Sequence, residues 1–110
     1  MAVRVAARLA PEWWTPASQA EETEPAQFLL APLPSSVYLN ARACVDDGRY
    51  GDAAVMVADA SVRGWRGVTI GEDAEFARGK IRELPHGILV EVATEILARA
   101  TLSETERKNS

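Results

Sequence analysis

His86 is the only histidine in the sequence and stands between Pro85 and Gly87. A general base needs a nucleophile or an orienting carboxylate within hydrogen-bond reach. No spacing in this chain names one, so His86 reads as a structural or solvent-exposed side chain. Cys44 is the only cysteine and falls at helical spacing among Val37, Tyr38, Ala41 and Val45. That position predicts a small buried hydrophobe rather than a reactive thiolate. One Cys and one His cannot supply a four-coordinate zinc site unaided, and one Cys allows no internal disulfide, a usage that fits a reducing compartment.

Gly64, Gly67 and Gly71 recur in GWRGVTIG. A phosphate-cradling loop would be followed by Lys and Ser or Thr at a strand-to-helix junction, which is missing here, so these glycines read as turn residues. The carboxylates gather at Glu21, Glu22 and Glu24, at Asp46 and Asp47, and at Glu72, Asp73 and Glu75. None has the spacing of a calcium-binding loop, and each is expected to be a solvated turn or linker. Catalytic, cofactor-binding and metal-binding residues are therefore assigned to none, and no cofactor is expected. Large rigid aromatics dominate the energetics of protein interfaces. Trp13, Trp14 and Trp65 are the residues best suited to anchor a partner. Trp65 has the competing reading of a core plug, and Trp13 and Trp14 can equally dock on the chain itself.

The elements that must position these residues follow from pattern. Residues 15 to 27, TPASQAEETEPAQ, hold two prolines, three glutamates and no large apolar side chain. They predict a flexible linker, because they cannot bury enough surface to offset ordering. Phe28, Leu29 and Leu30 form an apolar run stopped by Pro32 and Pro34, which predicts an extended segment or edge strand. Ser35 or Ser36 is expected to cap a helix with Val37, Tyr38, Ala41, Cys44 and Val45 on one face, ended by Gly48. A second helix starts near Tyr50, lines one side with Ala54, Val57, Ala58 and Ser61, and is closed by Gly64. Between Trp65 and Ala77 the β-branched residues and the Gly-Glu-Asp turn predict a short hairpin. Lys80 to Leu84 reads as one helical turn ended before Pro85. A last helix carries Ile88, Leu89, Val92, Ala93, Ile96, Leu97 and Ala100 as a stripe, with Glu95 and Arg99 as an i, i+4 pair. Ser103 with Glu106 matches a capping box and predicts a short frayed terminal turn.

The whole chain is 110 residues, with 47% hydrophobic and 25% charged side chains and a net charge of −4. This is one small domain with a thin core. Its acidic balance argues against a sequence-independent hold on nucleic acid or on an anionic membrane. Arg4 and Arg8 interrupt the only stretch that resembles a secretion signal, and the longest apolar run, residues 53 to 58, falls well short of a membrane span. The expected organisation is a flexible segment and acidic linker over residues 1–27, then a single helical domain over 28–110 with a short polar tail. The fold class is mainly α, with three to four helices and a minor β element.

An ordered set of motifs runs through residues 24 to 110: PAQFLLAPL, then VRGWRGV, then RELPHGILVEVATEILARAT, then LSETERKNS. Phe28, Leu30 and Leu33 carry it first, followed by Gly64, Trp65, Gly67 and Val68, by Leu84 and Pro85, and by Leu102, Ser103, Glu106, Lys108, Asn109 and Ser110. In this order and length the chain resembles the phage tail assembly chaperones. The segment MAVRVAARLAPEWW has no counterpart in that pattern and can be a lineage-specific partner motif. The resemblance implies a non-enzymatic protein of the host cytoplasm that binds the tape measure and tail tube proteins during tail assembly and stays out of the finished virion. The competing readings are a structural minor tail or head-tail connector protein and a small acidic regulator that binds a host protein. Trp13, Trp14, Phe28, Leu30 and Trp65 are the expected partner-binding residues, and self-association into a homo-oligomer is compatible with such a surface. Neither nucleic acid nor membrane is an expected partner.

Overall fold

The computed structural model describes residues 11–108, with side chains described for residues 11–101. The Arg4 and Arg8 stretch, the side chains from Leu102 onward, and Asn109 and Ser110 lie outside the described residues. Three strands form one antiparallel sheet in the order β1-β2-β3, with β1 at Glu12–Trp14, β2 at Gln27–Leu30 and β3 at Val62–Arg66. Three α-helices accompany it: α1 at Ser35–Asp46, α2 at Tyr50–Ser61 and α3 at His86–Lys108. Short 3-10 turns occupy Ala17–Gln19 and Arg78–Glu83. Helix predominates, as the periodicity predicts, but the sheet is not a minor feature.

The largest correction concerns residues 11–27, the described part of the expected flexible segment and linker. Glu12, Trp13 and Trp14 pair with Leu30, Leu29 and Phe28, so β1 is an integral strand. The segment from 15 to 27 is anchored at both ends, because Pro16 and Ala26 are buried and Gln27 Nε2 donates to Thr15 Oγ1 at 3.0 Å. Sequence composition missed this because the anchoring side chains are small, and what holds them is backbone pairing and neighbours far away in sequence. The run Phe28 to Leu30 is likewise the central strand and not an edge. Pro32 and Pro34 lie beyond the paired residues, so their missing N–H groups cost the ladder nothing.

Alternation along β2 buries Phe28 and Leu30 and turns Gln27 and Leu29 to the opposite face. Phe28 pairs with Trp65 and Leu29 with Gly64, while Leu30 pairs with Val62. Arg63 is thus an extra residue in β3, a bulge that bends the strand as it leaves α2. The expected closure of α2 at Gly64 does not occur. Val62 is already extended and begins β3 directly after Ser61. Nor does a hairpin form between Trp65 and Ala77, since Trp65 and Arg66 belong to β3 and only Ile70 and Asp73 bridge in the following turn. Gly67, at φ +68°, ends the strand there.

Helix α1 starts without a side-chain cap, Pro34 occupying the position expected of Ser35 or Ser36. Its C-terminus closes as predicted: Gly48 takes φ +78°, its N–H donates to the Val45 carbonyl and the Arg49 N–H to that of Cys44. Helix α2 packs between α1 and α3. The core joins Phe28, Leu30, Val57, Val62, Trp65, Ile81, Val92 and Ile96. Phe28 and Trp65 meet edge to face at 6.4 Å, and Trp65 and Phe76 at 5.0 Å. Helix α3 is tied to β1 and the residues after it by Arg99 with Glu12 at 3.6 Å and by the Ser18 N–H donating to Glu91 Oε2 at 3.3 Å. Its backbone stays helical to Lys108, so Ser103 lies inside α3 and starts no separate turn.

Candidate partner-binding surfaces

The five expected partner-binding residues separate into two groups. Phe28, Leu30 and Trp65 are 0%, 2% and 7% exposed. They belong to the core cluster, Trp65 meeting Phe28 on one side and Phe76 on the other, and the partner-binding expectation is corrected for these three, whose burial makes them core. Trp14 is half-buried against that core, and Trp13 keeps 39% exposure. Strand alternation decides the split, because Trp14 pairs with Phe28 on the inner face and Trp13 pairs with Leu29 on the outer.

The outer face of the sheet is built from Trp13 on β1, Gln27 and Leu29 on β2, and Gly64 and Arg66 on β3. Arg66 lays its guanidinium over the Trp13 ring at 3.7 Å from the centroid, a cation–π contact worth about 0.5–1 kcal/mol at an exposed site. A side chain at 64 would meet Leu29 at ordinary contact distance. Arg63 and Arg66 are both exposed, and among the described residues neither has a carboxylate within ion-pair distance. In a chain of net charge −4 this is a local basic and aromatic patch.

A second surface lies across α1, α2 and the 3-10 turn at Arg78–Glu83. It is an open groove of about 600 Å³ with Val37, Val55, Met56 and Ala60 on its floor and Asp52, Asp59, Arg78 and Arg82 at its rim. Arg82 reaches Asp59 at 3.5 Å across it. At one end Arg49 and Asp52 pair at 2.8 Å, and the hydrogen bond to Asp52 raises the Arg49 pKa further above its ordinary value. Sequence reading missed this groove, although the signal is present: α2 is apolar at Val55 and Met56 as well as on the buried side at Ala53, Ala54, Val57 and Ala58. A helix apolar beyond one stripe has a second surface to account for.

His86 and Cys44 stand apart from both surfaces. His86 is exposed at the start of α3, and Cys44 is buried in α1. Among the described residues no three His, Cys, Asp or Glu side chains converge as a metal site, and no helix is long and apolar enough to cross a membrane. Lys80 clamps Asp73, and that hydrogen bond, with a second from the Glu75 N–H, holds the Asp73 carboxyl below the usual carboxylate range. The clamp fastens the 67–77 loop to the turn that borders the groove. No protein-family model, curated protein or solved structure matches this chain.

Proposed function

We propose that this protein is a tail assembly chaperone of a tailed phage or prophage, acting in the host cytoplasm without catalysis to hold the tape measure protein soluble and bring tail tube subunits to it. The observation that carries the reading is the groove of Val37, Val55, Met56 and Ala60 between charged banks. An amphipathic helix docks in such a groove by its apolar stripe, with its flanking charges meeting the rim. A long helix-rich polypeptide with apolar stripes is the kind of client that needs this surface. The order of the GW-x-G-V turn, the Leu-Pro helix start and the polar ending supports the same reading through its resemblance to that family.

The test is co-expression with the tape measure and tail tube proteins of the same gene cluster, followed by pull-down and size-exclusion chromatography. The tape measure protein should become soluble and co-elute, and Met56→Glu, which puts a charge on the groove floor at a half-buried residue, should weaken co-elution at least tenfold while circular dichroism shows the fold retained. Stoichiometric presence in purified virions with no co-elution overturns the chaperone reading in favour of a connector. A second reading, an acidic regulator of a host protein, is favoured by the exposed Trp13 beside Arg66. It is excluded if Trp13→Ala leaves every detected interaction unchanged.

A further inference from the structure

We infer that the groove across α1, α2 and the Arg78–Glu83 turn selects its partner by charge: it takes an amphipathic helix with a carboxylate beside the apolar stripe, and Arg78 receives that carboxylate. The inference rests on the groove reading above and names the chemistry of the segment that fills it. The lining comes from α1, α2 and the 3-10 turn alone, so no sheet edge is open there to pair with an extended chain. A segment that enters must satisfy its own backbone hydrogen bonds, which a helix does. Met56 on the floor is flexible and polarisable and fits apolar side chains of more than one shape, so the floor discriminates little between one stripe and another.

The charges of the lining decide instead. Asp52 is already met by Arg49 at 2.8 Å, and Asp59 by Arg82 at 3.5 Å. Arg78 is the charged lining residue left over: it is exposed and, among the described residues, has no carboxylate within ion-pair distance. The turn that presents it is anchored. Ile81 is fully buried, and Lys80 is bonded to Asp73 and donates to the Glu75 carbonyl at 3.0 Å. A guanidinium held out from such a turn meets a carboxylate with two parallel N–H donors and repels an ammonium. Asp52 and Asp59 offer a basic partner no equal return, because each already has its own arginine. At about 0.15 M salt, charges more than about 8 Å apart are largely screened, so this contact and not the net charge of −4 sets the preference.

Three stapled helical peptides of about twenty residues test it, sharing one Leu stripe at i, i+3, i+4 and i+7 and differing only in their flanking residues, all Glu, all Gln or all Lys. In fluorescence anisotropy with the full chain at 0.15 M salt, the Glu peptide should bind about tenfold or more tightly than the Lys peptide, with the Gln peptide between. Arg78→Gln should bring the three together, and Arg78→Glu should reverse their order. Met56→Glu should weaken all three. Arg78 is exposed, and circular dichroism of its variants should superimpose on that of the parent. Equal binding of the three peptides to the parent, or an order that survives Arg78→Glu, overturns the charge selection while the groove reading stands. Binding by no peptide, or binding that Met56→Glu leaves unchanged, overturns the groove reading and this inference together.

Discussion

Ser61 is the one polar side chain of the described residues that is fully withdrawn from water, and its Oγ has no hydrogen-bond partner among them. A buried hydroxyl without a partner carries its desolvation cost uncompensated. Ser61→Ala should therefore leave the melting temperature unchanged or raise it, by up to about 1 kcal/mol of stability in thermal unfolding. Trp65 Nε1 is unpartnered in the same way, yet its ring closes the core between Phe28 and Phe76, and burying 150–250 Å² of such a side chain outweighs one unmade hydrogen bond. Asp73 is a pH-sensitive residue with a defined sign. Lys80 and the Glu75 N–H lower its folded pKa below the unfolded value, so its contribution is complete above the ordinary aspartate pKa of about 3.9 and is lost as pH falls through the lowered folded value. In a carboxyl-carbon NMR titration Asp73 should have a midpoint below that of an unperturbed aspartate, and Lys80→Met should move it back up.

At the scale of elements, the glycine of the GW-x-G-V turn acts through close approach. Gly67 has φ +68°, and a Cβ there would come within 2.5 Å of the Pro25 carbonyl oxygen. The end of β3 and the β1–β2 connection touch backbone to backbone at this point. Gly67→Ala adds left-handed strain of about 1–3 kcal/mol to that clash and should lower stability by at least as much in chemical denaturation. The helical stripes are a second case, because similar residues differ by their position on the cylinder. Ile96, 2% exposed in the core, should cost about 2–5 kcal/mol when changed to Ala. Leu39, 66% exposed on α1, should change stability by about 0.5 kcal/mol or less. The stripes of α1, α2 and α3 were legible because a 3.6-residue period is a local property. The three-stranded sheet was not, because β1 and β2 are three and four residues long and find each other across a twelve-residue connection, while β3 is contributed from beyond two helices.

For the whole molecule, the question is whether the first 26 residues are an appendage. A linker can be removed without consequence, whereas β1 shields one side of β2, Trp14 packs on the core, and Pro16 and Ala26 are buried in it. Deleting residues 1–26 should cost about 2 kcal/mol or more, which for a chain of this size is roughly 8–16 °C in melting temperature. An unchanged melting temperature would return the segment to the status of a linker. The candidate surfaces divide the same way. Trp13 was legible as an anchor from its residue type alone, but Phe28, Leu30 and Trp65 are equally large and apolar. Only the pairing that puts them on the inner face distinguishes core from surface.

The sequence by itself determined the three α-helices, the glycine end of α1 and the turn before Pro85, because each depends on residues within a few positions of one another. Tertiary structure alone decided that β1 exists, that β2 is central, that Arg63 bulges, and that Val55 and Met56 line a groove. Those outcomes depend on partners distant along the chain, and a strand three residues long acquires its identity only from the neighbour that satisfies its hydrogen bonds.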